Sequence, residues 1–264
     1  MAMKNIGVLM VCMTVCGAVL FAQTDWEADF ETKAEGDGVM ITGYKGKGGD
    51  VIIPGIIGGK AVVSIGDKAF ANNGLASVRI PASVTSIGSS AFYACYSLKS
   101  AMLPEGVATI GDQAFAFCTS LQSIMLPESV TSIGEETFIG CSGLESITIP
   151  AANQQYKEID GVLFTKDGTT LLVCPAGNER TDYTIPEGVT AIGPSAFYYC
   201  SKLTTVNIPE GVTGIDRSAF IGCSKLAPVT LPASVTSVGS GAFSGLKPED
   251  NPDIVLRFGY APFR

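Results

Sequence analysis

The chain has 264 residues, no histidine and a single tryptophan, and only 16% of it is charged. Without an imidazole there is no Ser-His-Asp or Cys-His arrangement and no zincin helix. A phosphate-cradling glycine loop is missing as well, and no GxGxxG follows an apolar strand-like run. The charge that is present is mostly acidic: 25 Asp and Glu against 17 Lys and Arg, a net −8. A surface of that sign repels phosphate backbones and anionic lipid headgroups, which excludes nucleic acid as a natural partner. The eight cysteines do not have zinc-motif spacing and lack a histidine to complete a site, so neither metal nor cofactor is expected.

What the sequence has is repetition. Leu121 to Phe138 reads LQSIMLPESVTSIGEETF, and Cys141 completes the pattern L-x-x-I-x-L-P-x-x-V-x-x-I-G-x-x-[AT]-F-x-x-C. Prolines fall 23 residues apart at Pro81, Pro104, Pro127 and Pro150, and again at Pro186, Pro209 and Pro232. Phe70, Phe92, Phe115 and Phe138 keep step, as do Phe197, Phe220 and Phe243. A short fixed period is the mark of a solenoid in which each repeat is one coil.

L-x-x-I-x-[LI]-P, V-x-x-I-G and A-F-x-x-C occur together and in register from Leu98 to Cys223. On these residues the chain resembles the BspA-like, or treponemal-type, bacterial leucine-rich repeat proteins. The resemblance implies a β-rich leucine-rich repeat solenoid with short helical turns, right-handed coils and a parallel concave β-sheet. It implies a recognition role rather than an active site.

Each position also has a physical reading. Alternation in L-x-x-I-x-L makes a strand with one buried face, so Leu121, Ile124 and Leu126 point inward while Ser123 and Met125 point out. Proline ends the strand because it cannot donate the next ladder bond. Val130 and Ile133 bury a second wall, and Gly134 permits a sharp corner. The A-F-x-x-C segment has room for one helical turn, for which Asp67, Ser89, Asp112 and Ser240 would be N-caps. Cys95, Cys118, Cys141, Cys200 and Cys223 share one position and read as a column of buried, reduced thiols. Disulfides within that column are the rival reading in an oxidising compartment.

The chain divides into a signal peptide at 1–22, an N-terminal cap at 23–60, a solenoid at 61–245 with an enlarged coil at 151–185, and a C-terminal cap at 246–264. Lys4 followed by the apolar run Ile6–Phe21 has the form of an export signal, too short and too weakly flanked for a stable membrane span. Cys12 and Cys16 keep a lipid anchor open as an alternative. Cleavage would change the net charge to −9 by removing Lys4. Trp26 and Phe30 are expected to cover the first coil, as a solenoid end must be covered. Pro150 to Pro186 is 13 residues beyond the normal step. The extra text holds a hairpin around Lys166-Asp167-Gly168, read as padding on the convex side in preference to a protruding contact loop. Ile254–Phe258 reads as a last strand that either caps the sheet or leaves an open edge.

Three surfaces remain. Glu105, Glu128, Glu187 and Glu210 form a rim, read as solvated rather than calcium-binding. Tyr93, Tyr96, Phe117, Tyr198 and Tyr199 cluster near the A-F-x-x-C turns. The outward face of the L-x-x-I-x-L sheet carries Arg79, Ser100, Met102, Ser123, Met125, Ser146, Thr148, Thr205 and Asn207: small polar groups around two adjacent methionines, which adapt to varied contact surfaces. The expected function is a secreted, non-enzymatic module, periplasmic or on the cell surface, recognising a protein or glycan, with host adhesion as the specific form the resemblance raises. The alternative is a structural envelope protein that associates with itself into homo-oligomers.

Overall fold

A computed structural model describes residues 25–246 of the chain. The segment read as a signal peptide, with Cys12 and Cys16, and the strand expected at Ile254–Phe258 lie outside the described residues. The fold is a β-solenoid of about nine turns.

Two parallel walls run along the stack. The first is made from L-x-x-I-x-L segments: Gly49–Ile52, Leu75–Arg79 and Ser100–Met102 form one sheet, Ser123–Met125 pairs with Ser146–Thr148, and Asp182–Thr184 pairs with Thr205–Asn207. The 23-residue period is their register, Ser77 facing Ser100 and Met125 facing Thr148. The second wall uses V-x-x-I-G, replaced in the enlarged coil by Thr170–Val173: Lys60–Ile65, Ser86–Ile87, Thr109–Ile110 and Ser132–Ile133 lie in one sheet, and Thr170–Val173, Ala191–Ile192, Gly214–Ile215 and Ser237–Val238 in another. Leu121, Ile124, Leu126 and Val130 are buried, as alternation demands.

The third side differs from the expected helical turn. The only helix among the described residues is the 3-10 segment Asp25–Asp29. The A-F-x-x-C segments are tight turns in which two residues take left-handed backbone, such as Gln113 (φ 55°) with Phe117 (φ 59°) and Ser195 (φ 54°) with Tyr199 (φ 58°). A right-handed helix cannot pass through such residues. The turns are instead tied to the next coil: the Phe92 N–H donates to Ala114 O at 2.7 Å and Phe115 N–H to Thr137 O at 3.0 Å. The expected N-caps work the same way. Asp67 Oδ1 accepts from the Ser89 N–H (2.7 Å) and Asp112 Oδ1 from the Glu135 N–H (2.8 Å), each one coil on. Gly134 also has a different reason from a sharp corner. Its φ is not left-handed, but a Cβ there would lie 2.4 Å from Asp112 N. Coils approach too closely at this point for any side chain.

Along the core the phenylalanine rings stack. Centroids of Phe70, Phe92 and Phe115 are 5.1 Å apart at each step, with Phe138 5.9 Å further on, and Phe197, Phe220 and Phe243 continue at 4.8 and 5.2 Å. At the N-terminal end the antiparallel pair Phe30–Glu35 and Gly38–Tyr44 joins the second wall, and Phe30 and Tyr44 extend the ring stack onto Phe70. Phe30 is therefore the cap residue the sequence predicts; the Trp26 side chain lies outside the described residues.

The cysteines line up beside this stack. Each thiol of the column donates to a backbone carbonyl of the preceding coil: Cys95 to Phe70, Cys118 to Phe92, Cys141 to Phe115 and Cys223 to Phe197, at 3.0–3.2 Å. All six cysteines of the described residues are free and buried. Cys174, outside the repeat pattern, has the place of a phenylalanine: its N–H donates to Ala196 O as Phe197's does to Ala219 O, and its carbonyl receives the Cys200 thiol.

The enlarged coil is a three-stranded meander, Tyr156–Ile159, Val162–Thr165 and Thr170–Val173. Asp167 closes the second turn, its Oδ1 accepting from Thr165 Oγ1 (2.6 Å), Thr169 N–H (2.9 Å) and Thr169 Oγ1 (3.0 Å). These donors hold the Asp167 carboxyl below its usual range. The apolar strand is buried, but not as padding on the turn side: it is wedged between two halves of the stack. Leu163 packs in the N-terminal core, while Val162 and Phe164 pack in the C-terminal one. Asn153 closes the N-terminal half. Fully buried, its Nδ2 donates to Glu128 O (2.9 Å) and Val130 O (2.8 Å), and its Oδ1 accepts from Gln155 and Tyr156 N–H (2.9 and 2.8 Å).

Candidate functional site

The outward side of the first wall is assembled by register. Ile52 lies beside Arg79, Arg79 beside Met102, and Met125, one period further on, beside Thr148. Their neighbours in the same strands, Val51, Val78, Ala101 and Ile124, are buried, so the outward set is free of core duty. Met102 and Met125 are 58% and 66% exposed. The Arg79 Nε–H points at the Met102 sulfur, 3.4 Å away, which lays the guanidinium along the row. Ser100, Ser123 and Thr148 surround the methionines in exposed positions, with Ser146 half-buried among them.

Sequence reasoning missed one member. Ile52 is 71% exposed and heads the row. The signal was present in DVIIP, where Ile53 is buried and strand alternation turns Ile52 outward. Thr205 and Asn207 are exposed as expected but belong to a separate pair of strands. The enlarged coil stands between them and Ser146: its Gly161 carbonyl accepts from the Ile147 N–H (3.2 Å). On its far side Arg180 donates to Asp160 O (2.6 Å) and lies over the Tyr183 ring at 4.9 Å. The nine residues thus form one row from Arg79 to Thr148 and a second, separate patch.

The aromatic residues near the turns also divide. Tyr93 meets Phe117 edge-on at 5.5 Å, and Tyr198 meets Tyr199 at 4.7 Å. Phe117 and Tyr199 lie over Gly140 and Gly222 of the next coil, where a Cβ would stand 2.5 and 2.6 Å from the ring. Each lays its ring against the next coil, Phe117 half-buried and Tyr199 still exposed, as is Tyr96. The rim acids are exposed, and Glu105 accepts from the Glu128 N–H at 3.3 Å.

The BspA type leucine rich repeat region model matches residues 53–168 and 176–250 in six copies. The chain belongs to that leucine-rich repeat family. A leucine-rich repeat protein of T. pallidum is 31% identical, with a TM-score of 0.51 over 89% of this chain and 96% of that one. One from Eubacterium ventriosum is 25% identical, with a TM-score of 0.61 over 84% and 68%. The pneumococcal vaccine antigen PcpA shares the fold at 21% identity, with a TM-score of 0.64 over 82% and 77%. Comparison with curated proteins found no match. Family and fold define a repeat scaffold of the protein-binding kind.

Proposed function

We propose that this chain is an exported, non-enzymatic recognition module that binds a protein surface through the row Ile52, Arg79, Met102 and Met125. The observation that carries this reading is the exposure of three large apolar side chains on the outward side of the first wall, Ile52 and Met102 in one sheet and Met125 one period further on in the next strand pair. Contact surfaces concentrate their energy in a few apolar or arginine anchors ringed by small polar groups, which is the composition of this row. An exposed row spread along several strands favours a macromolecule over a small metabolite. A place at the cell surface is in keeping with the pneumococcal relative's being a vaccine antigen, and adhesion to host protein or glycan is the specific form to test. The experiment is a pull-down from candidate host extracts with the wild-type chain beside Met102→Glu/Met125→Glu. The double variant is expected to lose the partner and keep its melting temperature. Retained capture would move the site elsewhere.

A further inference from the structure

A cleft of about 270 Å³ opens on the turn side where the enlarged coil interrupts the stack, between the turn of Glu135 and Glu136 and that of Pro194 and Ser195. Its cause is a deletion. From the second-wall strand to the phenylalanine place, Ile192 to Phe197 spans five steps, while the equivalent Leu171 to Cys174 spans three. The enlarged coil therefore lacks the projecting part of its turn. It also puts cysteine where the stack otherwise has phenylalanine, so the rings stop at Phe138 and resume at Phe197.

The missing turn leaves its hydrogen-bonding partners behind. In five other coils two N–H groups of the turn donate into the next coil, Lys68, Ser90, Gln113, Ser195 and Ser218 at one position and Phe70, Phe92, Phe115, Phe197 and Phe220 at another, and in four of them a third does so, at Asn72, Ala94, Phe117 and Tyr199. The equivalent N–H groups here belong to Glu136 and Phe138. Neither makes a hydrogen bond among the described residues. Across the gap, the Pro194 carbonyl, whose counterparts Glu135 and Arg217 each accept from the coil before, receives no donor among the described residues either. Buried or half-buried backbone groups in a sheet-like stack are ordinarily paired, so two donors and one acceptor facing an apolar cleft form a recognition edge.

The floor is made by Phe138, Leu163, Leu172 and Cys174. An apolar cavity of about 150 Å³ holds a benzene ring, so this one has room for a phenyl group and the backbone that carries it. At the mouth Arg217 reaches over 82 residues of sequence to Glu135 Oε2 at 2.6 Å, with Glu136 Oε1 at 3.8 Å. Two carboxylates share one guanidinium there, so the edge offers no net attraction to an anion.

We propose that the seam is a peptide-binding site, which accepts a short neutral segment with one phenylalanine among small residues as a surrogate for the missing turn. The phenyl group enters above Cys174 in line with the ring stack. The segment's carbonyls accept from Glu136 and Phe138 N–H, and one of its N–H groups donates to Pro194 O. This is strand addition transposed to a turn ladder, and it is independent of the row on the first wall.

The probe is an acetylated, amidated and fluorescently labelled peptide copying residues 88–94, Gly-Ser-Ser-Ala-Phe-Tyr-Ala, titrated into the full chain and followed by anisotropy. Saturable binding is expected, weakened roughly tenfold or more when serine replaces the peptide's phenylalanine, since such an anchor dominates a small interface. Leu172→Trp, which fills the cleft, should abolish binding with an unchanged melt, and Met102→Glu/Met125→Glu should leave it intact. If Leu172→Trp melts lower, Ala176→Phe fills the same space from the turn that follows that strand. In the wild type, amide exchange at Glu136 and Phe138 should slow on saturation with peptide. No saturable binding, equal binding of the serine peptide, binding that survives both filling variants, or unchanged exchange at both amides would overturn the proposal.

Discussion

The Cys118 thiol donates to the carbonyl of Phe92, one coil back, at 3.2 Å. The same relation recurs at Cys95, Cys141 and Cys223, and it explains why this place takes cysteine rather than alanine or valine: a small apolar side chain that still satisfies a carbonyl inside the core. Burial raises the thiols of Cys95 to about 11 and Cys223 to about 12, and the neighbouring Cys141 thiol together with burial pushes Cys118 far up.

The first prediction follows from the sign of those shifts. An unfolded thiol ionises near 8.5. Because the folded values are higher, the stabilisation is complete below about pH 8.5 and is lost as pH rises through about 11 and beyond. Denaturant midpoints measured from pH 7.5 to 11 should fall along that window, and Cys95→Ala should flatten the slope. At pH 7.5 all six thiols should resist alkylation in the native protein and react in denaturant. Linked Cys95–Cys118 or Cys200–Cys223 peptides from protein kept free of oxidants would contradict the column.

Phe115 is fully buried in the stacked rings, 5.1 Å from Phe92 and 5.9 Å from Phe138. Phe115→Ala is expected to cost about 3–5 kcal/mol, as for other buried aromatics. A chemical denaturation midpoint unchanged from wild type would show that the ring stack is not the core.

Gly134 and Gly36 separate close approach from backbone freedom. At Gly134 an added Cβ would meet Asp112 N at 2.4 Å; at Gly36 nothing lies within 4 Å, but φ is +54°. Gly134→Ala should lower stability by about 1–3 kcal/mol or more, as overpacking does. Gly36→Asn, a residue that tolerates left-handed backbone, should stay within about 0.5 kcal/mol of wild type. Equal effects at the two sites would refute the distinction.

Asn153 saturates four hydrogen bonds at the end of the N-terminal half. Asn153→Ala leaves two backbone carbonyls and two N–H groups without their partner, each unpaired buried group costing about 1–3 kcal/mol. Thermal melting should show a large loss, and amide exchange should quicken at Gln155 and Tyr156. A small change in both would mean that neighbouring groups take over its bonds.

The period, the buried and outward sets and the cysteine column were legible because each is a sequence alternation that a stacked coil enforces 23 residues later. The turns were not. Left-handed backbone at Gln113, Glu136 or Ser195 leaves no composition signal when the residue is not glycine. A G-x-x-A-F segment therefore reads like a helix start, with Asp112 as its cap. The enlarged coil was only half legible. Lys166-Asp167-Gly168 announces one hairpin, and the Asp160-Gly161 pair, with φ of 52° and 79°, makes a second. The place of Cys174 could not be assigned because the two-residue deletion breaks the register. Of the outward row, Ile52 escaped because the cap precedes the first full repeat.

The row itself is tested most directly by a positional scan. Glutamate is placed singly at Ile52, Met102, Met125 and Thr205, and affinity for one purified partner is measured for each folded variant. The account predicts a loss of roughly tenfold or more at each of the first three, as for buried anchors, and wild-type affinity for Thr205→Glu beyond the enlarged coil. Wild-type affinity at Met102 and Met125, with loss at Thr205, would contradict it.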